Sequence, residues 1–114
     1  MAHLLLVSPD ADARLAIEPA LYAAGHLVHV ADTAGDAIDL LAEMHFDAVL
    51  CETQLPDLKT SKLIRHIKEV YGIPTIPFEH HHALRHRSWL SLHPREAVAP
   101  MDGYDLARRV SRAL

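Results

Sequence analysis

Short apolar runs alternate with amphipathic segments along this chain. Residues 3–8 (HLLLVS) form an apolar run that ends in a Ser-Pro-Asp sequence, which is typical of a buried strand entering a loop. Residues 11–24 follow with apolar side chains at helical spacing, and Gly25 stands where a C-terminal cap belongs. Pro19 lies inside this segment and predicts a kink or a restart of the helix, because proline removes one backbone hydrogen bond.

The same alternation of strand and helix continues beyond Gly25. Residues 27–31 predict a second strand, and residues 33–36 fit a capping box at the start of a second amphipathic helix. Residues 46–52 predict a third strand. Thr60 or Ser61 can cap the helix that follows it.

The pattern becomes weaker after the third helix. Residues 73–79 predict a fourth strand, but Pro74 and Pro77 cannot donate ladder hydrogen bonds, so this strand should be irregular or lie near an edge. The remaining predictions are a short helix over residues 83–90, a fifth strand over residues 96–99, and a final helix from residue 102 carrying Leu106, Val110 and Leu114.

Five strands that alternate with helices through short loops imply right-handed crossovers and a parallel sheet covered on both faces. The predicted fold is therefore an α/β protein, a three-layer α/β/α sandwich with a five-stranded parallel sheet, formed by a single domain over residues 1–114. In such sheets, ligands bind beyond the carboxyl ends of the strands. We therefore expect any ligand-binding or catalytic residues to lie just beyond those carboxyl ends, at what we call the carboxyl edge of the sheet.

Composition agrees with one compact domain. The 114 residues are 50% hydrophobic, and area scaling predicts that folding buries about two thirds of the surface. Cys51 is the single cysteine, which excludes an internal disulfide and favours a reducing compartment. The sequence contains no apolar run long enough to cross a membrane and no signal-peptide pattern, so we expect a soluble cytoplasmic protein.

Charge is unevenly distributed between the two halves of the chain. The first 57 residues carry ten acids and one base, whereas the last 57 carry five acids and ten bases, so the formal charges are −9 and +5. Five of the ten histidines lie between His80 and His93, and mild acid would add positive charge to the basic half. This segregation is either compositional noise or a basic face that attracts an acidic partner.

Three runs, LLLVSPD, FDAVLCETQLPD and APMDGYDLARRV, occur in an order that resembles the receiver domain of two-component response regulators. The resemblance covers nearly the whole chain and implies a flavodoxin-like sheet with strand order 2-1-3-4-5. It also implies a pocket. In the family, an acidic pair after the first strand lines this pocket and holds magnesium; the corresponding residues here are Ser8 and Pro9, and Asp10 is the next residue in the chain. The phosphoacceptor aspartate of the family corresponds to Glu52.

The other pocket positions of the family are also altered. The resemblance assigns the hydroxyl residue that ends the fourth strand to Glu79 and the switch aromatic of the fifth strand to Glu96. It assigns the lysine that precedes a proline to Ala99. Phosphoryl transfer to a carboxylate needs a divalent cation and positive charge on the phosphoryl oxygens, and these residue types supply neither. We therefore expect a pseudo-receiver that acts by binding. Glu52 is either purely structural or a partial imitation of the phosphorylated state.

The histidine-rich segment supports a second hypothesis. If residues 80–86 are helical, His82 and His86 share a face and, with Glu79 or Glu52, could ligate a divalent metal. The alternative function is thus a metal- or pH-responsive binding domain that uses Glu79 and the segment His80 to His86. The competing interpretation is a set of solvated surface histidines.

Enzyme and nucleic-acid functions have little support. The sequence has neither a glycine-rich phosphate loop nor a nucleophile elbow, and no cofactor is predicted. The net charge of −4 and the lack of a recognition-helix motif disfavour nucleic acid. The resemblance instead implies contact with a protein partner, or self-association, through the last two helices and the last strand. The predicted interface residues are Arg85, Arg87, Trp89, Leu90, Leu92, Arg95, Arg108, Arg109 and Arg112.

Overall fold

The computed structural model of this chain describes residues 2–79 and 103–114, with side chains in the final helix from Ala107 onwards. Its strands are β1 (His3–Val7), β2 (Leu27–Ala31), β3 (Ala48–Glu52) and β4 (Thr75–Phe78). Its helices are α1 (Ala11–Ala23), α2 (Ala34–Glu43), α3 (Thr60–Val70) and α4 (Gly103–Ala113).

The four strands form one parallel sheet in the order β2-β1-β3-β4. Leu6 of β1 lies beside Val30 of β2 and Leu50 of β3, and Leu50 in turn lies beside Ile76 of β4. This order agrees with the first four positions of the predicted 2-1-3-4-5 sheet. The predicted fifth strand and the predicted helix over residues 83–90 lie outside the described residues.

Apolar side chains cover both faces of the sheet, which confirms the three-layer architecture. Residues 4–7 of β1 are fully buried, as expected for a central parallel strand. Leu4 and Leu6 face the α1 and α4 side, whereas Leu5 and Val7 face the α2 and α3 side. The first face packs against Ala13, Ile17, Leu21 and Val110, and the second against Leu41, Phe46, Leu63 and Ile67.

The end of α1 confirms the predicted glycine cap. Gly25 has a φ of 88°, a left-handed conformation that favours glycine. The Gly25 amide donates to the Tyr22 carbonyl, and the His26 amide donates to the Leu21 carbonyl. These two hydrogen bonds form a Schellman motif, which turns the chain towards β2.

Several predicted details were wrong. Helix α1 continues through Pro19 to Ala23 and does not restart there. The N-cap of α3 is Lys59, which makes no side-chain cap, and the Thr60 hydroxyl instead donates to the Glu52 carbonyl at 2.7 Å. The final helix was expected to carry Leu114, but it ends at Ala113, and Leu114 is 56% exposed.

Among residues 2–79 and 103–114, none of the helices has the length and apolar character that crossing a membrane requires.

Candidate functional site

The carboxyl edge of the sheet brings Ser8 and Glu52 together. Val7 pairs with Cys51 in the parallel register, so the residues that follow them are neighbours. The Ser8 hydroxyl donates a hydrogen bond to Glu52 Oε2 at 2.5 Å. Both side chains are buried, with Ser8 0% and Glu52 5% exposed. A serine thus covers the carboxylate at the position that the resemblance assigns to the phosphoacceptor.

The side chain that contacts the Glu52 carboxylate within the described residues is a neutral one. Within the described residues, Ser8 is the only side chain that donates to its carboxylate, and neither ion pair of this region involves Glu52. The Glu52 carbonyl accepts the Thr60 hydroxyl, and the Thr53 amide donates to the Phe78 carbonyl at 2.9 Å. These backbone contacts hold the end of β3 between α3 and β4.

Asp10 acts as the cap of α1. Its Oδ1 atom accepts the Asp12 amide at 2.9 Å, and its own amide donates to the Ser8 hydroxyl oxygen at 3.2 Å. A carboxylate at this position satisfies an amide of the first turn and is favoured by the helix dipole. Pro9, between Ser8 and Asp10, is exposed and has no side-chain donor or acceptor.

The donor set at this edge does not fit the magnesium ion of the receiver family. Magnesium prefers carboxylate oxygens in octahedral geometry, but Ser8 is neutral, Pro9 offers no ligand and Asp10 caps α1. Within residues 2–79 and 103–114, no three His, Cys, Asp or Glu side chains are arranged to hold a metal ion. Glu79 is exposed just beyond β4, because the strand ends at Phe78, one residue earlier than the sequence predicted.

Cys51 is an inert core residue. It is fully buried on the α2 and α3 side of the sheet. Burial raises the pKa of its thiol to about 12, so the reactive thiolate is not populated at neutral pH.

Asp57 makes a contact at this edge that the sequence analysis missed. Its two carboxylate oxygens accept the Ala34 and Gly35 amides at 2.9 Å each, so a residue of the β3–α3 loop caps the N-terminus of α2. These two hydrogen bonds hold the pKa of Asp57 below its usual value. The available signal was topological, because the loop after β3 and the start of the helix after β2 both lie at the carboxyl ends of strands of one parallel sheet.

Replacement of this cap gives a testable pH dependence. We expect Asp57→Asn to lower the unfolding midpoint at pH 7, because the amide loses the charge and one acceptor. A lowered folded-state pKa gives stability that is fully present above the unfolded-state value of about 3.9 and is lost as pH falls through the folded-state value. The difference between the two proteins should therefore shrink in acid, as thermal unfolding from pH 7 to pH 2.5 would measure.

The matched control for this cap is Asp39→Asn, which makes the same change at an exposed position on α2. It should leave the midpoint nearly unchanged. Equal effects of the two variants at pH 7 would contradict the assignment of Asp57 as a cap.

Three of the predicted interface arginines lie on α4. Arg108, Arg109 and Arg112 are exposed, whereas Ala107 and Val110 face the sheet. Arg108 and Arg112, with Ser111, line a groove of about 500 Å³ between α4 and α1. The remaining wall is apolar and consists of Ala20, Ala23, Ala24 and Ala107.

The other predicted site residues lie outside the described residues. These are Ala99 and Glu96 of the pocket, His80, His82 and His86 of the metal hypothesis, and Arg85, Arg87, Trp89, Leu90, Leu92 and Arg95 of the interface. Their roles remain predictions.

Solved structures with the same fold are receiver domains of response regulators. A CheY-like receiver protein from Methanospirillum hungatei matches with a TM-score of 0.77 and 21% identity, over 98% of this chain and 92% of its own. A chemotaxis response regulator of Vibrio cholerae matches with a TM-score of 0.76 and 17% identity, over 100% and 99% of the two chains. NtrX from Brucella abortus matches with a TM-score of 0.76 and 22% identity, over 99% of this chain but 26% of its own.

No protein-family model matches the sequence, and the search of curated proteins found no match. The structural similarity thus confirms the fold that the resemblance implied. This chain has the flavodoxin-like fold of a response regulator receiver domain. Glu52, which the resemblance assigns to the phosphoacceptor position, is buried and hydrogen-bonded to Ser8.

Proposed function

We propose that residues 1–114 form a single receiver-like domain that works in two-component signalling by contacting proteins, without aspartyl phosphorylation. In this proposal the chain is a cytoplasmic, non-enzymatic pseudo-receiver. The observation that carries it is the buried hydrogen bond between Ser8 and Glu52. The receiver fold supports the signalling role.

The charge at the sheet edge argues against phosphoryl transfer. The Ser8 hydroxyl already engages Glu52 Oε2 at 2.5 Å, so a phosphoryl donor would compete with it for that oxygen. Phosphoryl transfer also requires cations that neutralise the transferred oxygens. Among the described residues, no lysine or arginine pairs with Glu52. Glutamate is also one methylene longer than aspartate, so its oxygen would attack from a different position.

The same contact argues against Glu52 as a permanent imitation of a phosphoryl group. A carboxylate carries one negative charge, whereas a phosphoryl group carries about −1.5 to −2 and has three acceptor oxygens. Ser8 already occupies one oxygen of Glu52, and the side chain is 5% exposed. We therefore assign Glu52 a structural role.

A small phosphodonor tests the proposal directly. The full chain is incubated with acetyl phosphate and magnesium, and its intact mass is recorded beside that of a receiver domain that accepts phosphate. We expect no stable gain of about 80 Da, the mass of one phosphoryl group. A gain that appears in the natural sequence and disappears in Glu52→Gln would refute the proposal.

The arginines of α4 are the proposed contact surface. Apolar centres with arginine at the rim are enriched at protein interfaces, and the α1–α4 groove has this composition. A second copy of this chain offers an acidic surface of opposite charge, because Asp36, Asp39 and Glu43 are exposed on one side of α2. We propose that α4 of one copy contacts α2 of another.

Charge reversal on α4 tests this surface. We expect Arg108→Glu with Arg112→Glu to weaken self-association at least about tenfold, since each new carboxylate faces acidic residues of the neighbour. Sedimentation equilibrium at low salt measures the effect. The control is Arg65→Glu with Lys68→Glu, an equal charge change at exposed positions of α3.

A second copy of the chain that carries Asp39→Arg and Glu43→Arg on α2 should again associate with the copy whose α4 carries Arg108→Glu and Arg112→Glu. Association that survives reversal of Arg108 and Arg112, or a natural protein that is monomeric at low salt, would contradict this interface.

A further inference from the structure

Two histidines lie side by side at the amino end of the sheet, opposite the Glu52 edge. His29 in β2 is the register partner of Leu5, and His3 precedes Leu5 by two residues in β1. Side chains two apart in a strand point to the same face, so both imidazoles lie on one side of the sheet. His3 Nε2 is 2.6 Å from His29 Nδ1, and the ring centroids are 4.6 Å apart.

A backbone carbonyl fixes the tautomer of His3. Its Nδ1 atom is 2.8 Å from the carbonyl oxygen of His45. A carbonyl can only accept a hydrogen bond, so Nδ1 carries the proton. The lone pair of a neutral His3 is therefore on Nε2, which accepts a hydrogen bond from His29 Nδ1 unless a metal ion takes the place of that proton.

The hydrogen bond from His3 Nδ1 to a carbonyl is one that metal-binding histidines commonly make. Histidines that bind metals through one ring nitrogen usually donate from the other to a carbonyl or a carboxylate, which orients the ring and raises its basicity. We propose that His3 Nε2 and His29 Nδ1 bind a divalent late first-row transition-metal ion, for which Zn²⁺ is the probe. Imidazole nitrogen is a preferred ligand for ions of this class.

The distances require a small adjustment. Two zinc–nitrogen bonds of about 2.0–2.1 Å at a tetrahedral angle place the nitrogens about 3.3 Å apart. The rings would therefore separate by about 0.7 Å, and His29 would carry its proton on Nε2. Because His29 is exposed and His3 is half-buried, side-chain rotation can supply this movement.

The neighbouring charges favour a cation. Asp47 Oδ2 accepts the His3 amide at 2.8 Å, and its Oδ1 lies 3.6 Å from His45 Nε2. The Phe46 ring packs against both imidazoles, with its centroid 4.6 Å from that of His3 and 5.9 Å from that of His29. Since this chain supplies two ligands and water fills the remaining positions, we expect an exchangeable ion whose affinity falls as acid protonates the imidazoles.

The experiment must resolve individual histidines, because the chain has ten. Long-range ¹H–¹⁵N spectra of the natural full chain are recorded at pH 7.5 during titration with ZnCl₂. We expect His3 Nε2 and His29 Nδ1 to shift together to the position of metal-bound nitrogen. Zinc shifts confined to other histidines, with His3 and His29 unchanged, would overturn the proposal.

Two variants test whether His3 and His29 bind one zinc ion together or whether His3 binds zinc without His29. His29→Gln should weaken zinc binding at His3 at least about tenfold, because it removes one of the two imidazole ligands. His66→Gln, on α3, is the control and should leave the affinity at His3 unchanged. Equal zinc affinity at His3 in both variants would also overturn the proposal. The spectra of the natural chain decide the question even if His29→Gln folds poorly.

Discussion

Replacing Leu50 with alanine should lower the free energy of unfolding by about 2–5 kcal/mol. Leu50 is fully buried in β3, between Leu6 of β1 and Ile76 of β4, on the face that packs against α1 and α4. The substitution removes apolar contacts and leaves a cavity that a central parallel strand cannot collapse to fill. For a domain of this size, such a loss is a large part of the total stability.

Urea unfolding of the natural protein and the variant measures this effect. The matched control is Leu27→Ala in β2, which removes the same atoms from a side chain that is 50% exposed. The control should cost much less than the Leu50 variant. A Leu50→Ala cost below about 1 kcal/mol would mean that the described core is not the core of the protein.

Replacing Ser8 with alanine should cost about 1–3 kcal/mol, because it leaves the Glu52 carboxylate buried without its side-chain donor. Ser61→Ala is the control, since Ser61 is exposed on α3. We expect that control to change stability by less than about 0.5 kcal/mol.

A double-mutant cycle isolates the Ser8–Glu52 interaction. In a Glu52→Ala background, Ser8→Ala should cost little, because the acceptor is already gone. The coupling between the two substitutions should account for most of the cost of the single serine variant. Additive effects would show that the hydroxyl contributes through other contacts, such as the one from the Asp10 amide.

Much of the fold follows from local sequence patterns. The apolar runs and the helical periodicity identified the four described strands and four described helices, and the glycine after α1 identified its cap. The parallel sheet followed from the alternation of strands and helices, and its strand order followed from the resemblance. The start of α3 could not be predicted, because Thr60 is fixed by a distant carbonyl, that of Glu52, and not by local capping.

The sequence predicted where the residues of the candidate site lie but not which contacts they make. Topology alone placed Ser8 and Glu52 at the same edge, because both follow apolar strand runs. Their hydrogen bond depends on the strand register and on side-chain rotamers, and a sequence specifies neither directly. The cap by Asp57 and the pair formed by His3 and His29 depend on contacts between distant segments in the same way.

We propose that the carboxyl edge of the sheet around Glu52 does not bind a phosphoryl group. Crystals of the full chain soaked with beryllofluoride and magnesium test it most directly, since this anion imitates a bound phosphoryl group. We predict that Ser8 keeps its hydrogen bond to Glu52 and that no anion occupies the edge. Beryllofluoride bound to the Glu52 carboxylate, with the Ser8 hydroxyl displaced, would contradict the account.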